Sequence, residues 1–359
     1  MIDFELTPEQ KEGIKAAHEL AKELFRPVSR YYDEHEHESP QELIDIMWKR
    51  RGEGIAAMGM DAAAALRTEE LCWGDAGLYL CIPGPGLGGA AVFASGTREQ
   101  VARFLAVFGG EKPTWGAMAM TEPHAGSDTA AISATAVRDG NEWVLNGEKI
   151  FVTMGKRALE DSDGFVVVWA TVDKSAGRAG MKSFVVPAGT PGMRVEKLEK
   201  KLGIKASDTA TITFDNCRIP FENILGSPEV KTTETKGFRG AMATFDATRP
   251  IIAAQALGVG RAALDFVKET LENEGIKIRY GTPRQKLTAL ERDIIEMEAN
   301  YKAAKLLTLR ALWMMSQFQP NSLESSMAKA KAGLAVTKIT QKAIEIMGPL
   351  GYSRKYLLE

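Results

Sequence analysis

The amino-acid sequence predicts an α+β protein: a helical N-terminal domain, a central β-barrel-like domain and a C-terminal domain like a four-helix bundle. Three observations carry this reading. Apolar residues repeat at helical spacing near the start, strand-like runs fill the middle, and helical spacing returns from about Gly237. The domains are therefore expected at 1–113, 114–232 and 233–359. Helices, then strands, then helices is not the alternation of a doubly wound α/β sheet.

In the first segment Thr7-Pro8-Glu9-Gln10 supplies a cap residue, a proline suited to a first helical turn and an early acid. Ile14, Ala17, Leu20, Ala21 and Leu24 then follow at helical spacing. Arg50–Leu66 is rich in small residues and defines no element. His35-Glu36-His37 sits in an acidic run and reads as a solvated face, not a metal site. Gly84-Pro-Gly-Leu-Gly-Gly89 satisfies G-x-G-x-x-G, but it lies in a helical region with Pro85 inside it and reads as a helix connection.

In the middle, Glu142–Leu145 and Lys149–Val152 flank Asn146-Gly147, the strongest local signal for a hairpin with a type I′ turn. Gly164–Val172, Ser183–Val186 and Thr209–Phe214 are further strands, and six or seven strands in all suggest a barrel or packed sheets. In the last segment Ile251, Ala254, Leu257, Arg261, Leu264 and Val267 form a stripe, and Ala253, Ala254, Gly258 and Gly260 admit a close neighbouring helix. Residues 284–317 and 321–347 give two more amphipathic helices, with Asn321 a cap for the second.

The 359 residues are 45% hydrophobic and 26% charged, with net charge −2, so no basic face invites nucleic acid. Cys72, Cys81 and Cys217 have no CxxC spacing and read as free thiols of a reducing, cytoplasmic compartment. The opening MIDFELTPEQKEG is polar where a secretory leader is apolar, and no run is expected to reach transmembrane length.

Met118-Ala-Met-Thr-Glu-Pro-His-Ala-Gly-Ser-Asp128 carries the most chemistry. Thr121 and Ser127 offer hydroxyls, Gly126 lets backbone approach a ligand, and Asp128 could cap a helix whose free N–H groups attract an anion. The plainer alternative is a polar turn entering a helix. TEPHAGSD resembles the TEPGAGSD signature of the acyl-CoA dehydrogenases, with His124 for a glycine. The likeness continues through Val144-Leu-Asn-Gly-Glu-Lys149, Phe151-Val-Thr153, Leu202–Thr209 and Phe245-Asp-Ala-Thr-Arg-Pro250, which is expected to open a long helix.

That resemblance implies FAD, an acyl-CoA substrate, an electron-transfer flavoprotein as acceptor and a homodimer or homotetramer without an integral membrane segment. Met118, Ala119, Met120, Thr121, Gly126 and Ser127, with Phe151, Val152 and Thr153, would meet the flavin. Ser127, Asp246 and Arg249 would meet the acyl-CoA. The implied reaction is α,β-dehydrogenation, with a glutamate as base. Gly351–Glu359 matches the run ahead of that glutamate, so the resemblance places the base beyond Glu359; this run is expected to be a cut helix. At the family's alternative base position stands Thr248, and Asp246 suits a CoA-side role better.

Departures from the pattern occur at the implied adenine end. Lys277-Ile-Arg-Tyr-Gly281 stands for R-x-x-F-G, Leu287-Thr288 for H-Q, and Glu345–Gly351 for Q-x-x-G-G-x-G. A non-catalytic flavin-binding or scaffold relative, and an acyl-CoA oxidase or flavin monooxygenase of the same fold, are the competing readings.

Overall fold

The structure, a computed structural model, describes residues 5–53, 62–231 and 235–359. The first four residues of the polar opening, residues 54–61 of the unassigned stretch and the expected boundary at 232/233 lie outside the described residues. The chain divides into two compact units, one of residues 1–31, 50–79 and 246–359, the other of residues 32–49 and 80–245.

Helix α1 (Pro8–Leu20) begins as its sequence predicts: Thr7 accepts from the Gln10 N–H and the Gln10 side chain returns to Thr7, a capping box. A π-helical turn, Ala21–Phe25, links it to α2 (Arg26–Glu34). Pro27 explains the widening, since its ring excludes a regular i−4 bond and carbonyl. Helices α3 (Gln41–Lys49), α4 (Ala62–Gly74), α5 (Ala76–Leu80), α6 (Gly86–Ser95) and α7 (Arg98–Leu105) come next. The G-x-G-x-x-G segment, Gly84–Gly89, follows helix α5 with no strand between them; Gly84-Pro85 lie in the connection and Gly86–Gly89 form the first turn of α6.

The second unit is built on a seven-stranded sheet: β1 (Gly116–Ala119), β2 (Thr135–Asp139), β3 (Glu142–Thr153), β4 (Phe165–Thr171), β5 (Met181–Pro187), β6 (Met193–Leu198) and β7 (Thr209–Pro220). Strand order is β1-β4-β2-β3-β7-β6, with β5 on the free side of β4. β4 is buried at every residue, which its unbroken apolar run requires. One face packs Trp143, Val166, Val168, Phe184, Ile212 and Phe214; the other packs Phe165, Val167 and Trp169 with α6 and α7 through Val92 and Phe104.

The expected Asn146-Gly147 hairpin is overturned. β3 runs straight through both residues, and the turn lies at Gly140-Asn141, between Asp139 and its partner Glu142. Gly147 instead marks a register shift against β7, where a Cβ would fall 2.6 Å from that of Ala134. Its glycine serves close approach at a bulge, not reversal.

The short helix α8 (Gly155–Leu159) follows β3 in the sheet unit, and the core of the other unit comes from three long helices, α9 (Lys236–Asn273, from Asp246 onward), α10 (Ala289–Ser316) and α11 (Ser322–Met347). The α9 residues Leu257, Leu264 and Val267 meet Ile294, Met297 and Ala304 of α10 and Ala328, Ala332, Ala335, Ile339 and Ala343 of α11. Gly258 and Gly260 work as expected: a Cβ would lie 2.3 Å from the Glu69 carbonyl of α4 and 2.9 Å from Val336 of α11.

Several expectations are corrected. α9 starts at Lys236, so Pro250 lies inside it and does not open it. α9 is also long and apolar enough to cross a membrane by length and composition, contrary to the expectation; 56% of that window is buried in the protein, as in a core helix. Asn321 precedes α11 without a side-chain capping bond, and its amide donates to the Ala311 carbonyl instead. Gly351–Glu359 is a series of turns, not a helix; Leu358 is buried in the helical core and Arg30 binds Glu359.

Candidate functional site

β1 delivers Met118 and Ala119 to a loop that turns back at once: Glu122 and Ala125 exchange both backbone hydrogen bonds at 3.0 Å around Pro123-His124. Glu122 is 2% exposed and its carboxylate holds the loop from inside. It accepts from the Ser133 N–H (2.7 Å) and hydroxyl (2.8 Å), the Ala134 N–H (3.0 Å) and Lys149 Nζ (2.7 Å). Lys149, fully buried on β3, also donates to the Met120 carbonyl at 3.0 Å. Burial pushes the Lys149 ammonium down to about 8 despite Glu122 beside it. Burial alone would raise Glu122, but the Lys149 charge and four hydrogen bonds outweigh it and hold the carboxyl below its ordinary range.

The same strand end carries a second irregularity. β3 and β7 lose register between Lys149 and Val152, and the Ile150 N–H turns to the Thr121 carbonyl at 2.9 Å. Phe151 takes φ 59° there and is 59% exposed, while Val152 is buried beside it. Met154 is also at positive φ, its N–H on the Asp208 carbonyl. An aromatic residue at positive φ costs on the order of 1–3 kcal/mol, and an exposed ring gains nothing from burial. Thr121 and Thr153 stand half-buried on either side of this hydrogen-bonded join.

Gly126 bears on the same loop. It has no positive φ, and a Cβ there would meet nothing within 4 Å, so neither its conformation nor internal packing requires glycine. A loop with open backbone, two hydroxyls and an exposed ring fits a flat aromatic ligand such as a flavin. Met118, Ala119, Met120, Thr121, Gly126, Ser127, Phe151, Val152 and Thr153 thus all lie along this one loop and its strand partner, with Ala119, Met120 and Val152 facing inward.

One part of the expected site is absent. Asp128 makes no side-chain cap, and the next element is a three-residue 3-10 turn, Thr129–Ala131, without the free N–H row that holds an anion. Ser127 is exposed. Asp246 and Arg249 belong to the helical unit and pair with each other at 2.7 Å; Asp246 also accepts from Ser322 and Arg249 donates to Ser326. Thr248, also on α9, offers no carboxylate.

At the departures from the family pattern the structure shows a closed network. Thr288 caps α10 in a capping box with Glu291. Glu291 accepts from Arg279 Nε and Nη2 at 2.6 and 2.7 Å, and Arg279 together with the Thr288 donors holds its carboxyl far below the ordinary range. Tyr280 donates to Glu298 at 2.7 Å.

Sequence reasoning missed the Glu122–Lys149 pair, although both residues lie inside the quoted motifs. A charged residue inside each motif, with no assigned ligand, was the available signal. It also missed a buried charge cluster in the helical unit, where Arg261 of α9 meets Glu69 and Glu70 of α4, and Tyr301 and Lys305 of α10 reach Glu69.

Comparison with known proteins gives a consistent result. The family model of the acyl-CoA dehydrogenase middle domain matches residues 117–217, and that of the acyl-CoA dehydrogenase C-terminal domain matches residues 235–359. The chain is 37% identical over 356 residues to the mitochondrial short-chain specific acyl-CoA dehydrogenase of Bos taurus, covering 93% of this chain and 79% of that protein. It superposes on butyryl-CoA dehydrogenase from Megasphaera elsdenii with TM-score 0.85 at 31% identity, covering 99% and 92% of the two chains. A chain in a structure of the electron transferring flavoprotein of Acidaminococcus fermentans gives 0.84 at 33% identity, covering 99% and 91%.

Proposed function

Because the chain belongs to the acyl-CoA dehydrogenase family, we infer that it is an FAD-dependent oxidoreductase that dehydrogenates an acyl-CoA thioester between its α and β carbons. One observation carries the reading: within a likeness that spans nearly the whole chain, Phe151 is held strained and exposed beside Thr121 and Thr153. Bound FAD would supply a hydride acceptor for the β-hydrogen.

The chain's own residues bind and orient. Phe151 would pack on the flavin ring, and the Thr121 and Thr153 hydroxyls would bond its edge. The Met118–Ser127 loop would line it, fixed from behind by Lys149 and Glu122. Ser127, at the exposed end of the same loop, would meet the acyl-CoA. No described residue is assigned as the base: Thr248 has no basic group at neutral pH, and the Asp246 carboxylate is engaged by Arg249 and Ser322.

The substrate is a short acyl-CoA and the acceptor an electron-transfer flavoprotein, which the names of the short-chain, butyryl-CoA and electron-transferring relatives support. Such a reaction belongs to fatty-acid β-oxidation. A homodimer or homotetramer is supported by Leu323, Met327 and Leu334 exposed along α11, with Leu306 of α10 exposed as well. The three free, buried cysteines support a reducing, cytoplasmic setting.

Anaerobic mixing of the FAD-loaded protein with butyryl-CoA tests this. Bleaching of the flavin band, then reoxidation on adding electron-transfer flavoprotein, is expected. Bound FAD that no acyl-CoA bleaches would establish the non-catalytic reading, and turnover with oxygen alone the oxidase.

A further inference from the structure

The sheet unit holds a polar cavity of about 610 Å³ that the proposed reaction does not use. Two of its lining residues, Arg157 and Trp115, are only 7% and 4% exposed. The Arg157 guanidinium lies over the Trp115 ring, 5.5 Å from its centroid, while the indole N–H goes to the Cys81 carbonyl at 3.1 Å. Among the described residues this guanidinium donates no hydrogen bond and joins no ion pair. Asp208, whose charge it feels, gives its oxygens to the backbone N–H groups of Lys156 (2.9 Å) and Arg157 (3.4 Å).

A guanidinium carries five donors, and those of Arg157 open onto the cavity and not onto a protein acceptor, which leaves them available to a ligand. The other polar groups around the cavity are largely committed. Lys156 binds Asp161 at 2.7 and 2.9 Å, Ser162 donates to the Arg157 carbonyl, and Ser39 donates to Gln41. Exposed Lys112, Glu160 and Asp163 all line the cavity, so its rim carries no positive excess to draw a polyanion. A planar monoanion matches the guanidinium fork.

We propose that this cavity binds a small carboxylate, seated on the Arg157 guanidinium against Trp115. The site is independent of the flavin reading and stands or falls separately. The FAD-loaded protein, titrated with acetate, succinate and inorganic phosphate at constant ionic strength, tests it by calorimetry. Acetate or succinate is expected to bind saturably. Arg157→Gln is expected to weaken that binding about tenfold or more, and Arg157→Lys less, since an ammonium lacks the fork. Should Arg157→Gln fail to fold, the Arg157 Nε–H resonance of 15N-arginine-labelled protein, assigned by its loss in Arg157→Lys, must still move saturably with acetate. Absence of a saturable shift, equal binding by Arg157→Gln, or preference for phosphate overturns the proposal.

Discussion

At the scale of single residues, Lys149 and Glu122 stand 27 positions apart and become one buried ion pair beneath the Met118–Asp128 loop. Removing one partner of such a pair leaves a charge without compensation, a loss of about 3–5 kcal/mol. Lys149→Met is therefore expected to lower urea stability by that amount, and adding Glu122→Gln to restore part of it. Full additivity of the two losses would show that the pair is not coupled. Phe151 predicts the opposite balance of stability and binding. Glycine adopts φ 59° without strain, so Phe151→Gly is expected to leave the cofactor-free chain as stable or up to about 1 kcal/mol more stable. Flavin fluorescence should report weaker FAD retention in the same variant; unchanged retention would remove Phe151 from the cofactor wall. The motifs around these residues were legible, but the bulge was not, because no rule of local spacing marks Phe151 for positive φ.

At the scale of elements, the apolar period found the long helices and the buried strand, and composition found the contact points. Gly258 was legible as a small residue on a helical stripe, and it is where α9 approaches the α4 backbone. Gly258→Val should force the two helices apart, lowering the thermal midpoint by the equivalent of about 1–3 kcal/mol or more; a variant as stable as the parent would mean that the approach is not required. Asn146-Gly147 misled because its turn propensity is genuine. A strand partner on each side, β2 and β7, supplied more hydrogen bonds than a turn could, and left the glycine to a bulge. Asn321 was likewise drawn from its cap by the Ala311 carbonyl, ten residues earlier on the neighbouring helix.

At the scale of the whole molecule, buried and hydrogen-bonded carboxylates set the response to acid. Burial would raise Glu70, but Arg261 and His18 outweigh it; with Glu122 and Glu291 it is held below the ordinary 4.5. A carboxyl with a depressed folded value contributes stability that is complete above its unfolded value and lost as pH falls through the folded one. Urea midpoints measured from neutrality downward should thus hold until about pH 5 and then fall steeply. Asp208 and Asp265, raised chiefly by burial, act in the other sense and blunt the fall. A midpoint that rises between about pH 5 and 3 would contradict this balance. The sequence by itself determined the succession of helices, strands and helices, because the spacing of apolar side chains decides locally which face an element buries. It also marked the Met118–Asp128 loop as the candidate ligand site, through a motif whose residues are contiguous. Tertiary structure alone decided which charges are paired: Arg261 with Glu70 from 191 positions away, and Lys149 with Glu122. Partnership of that kind depends on which distant backbones come within a few ångströms, and no local period encodes it.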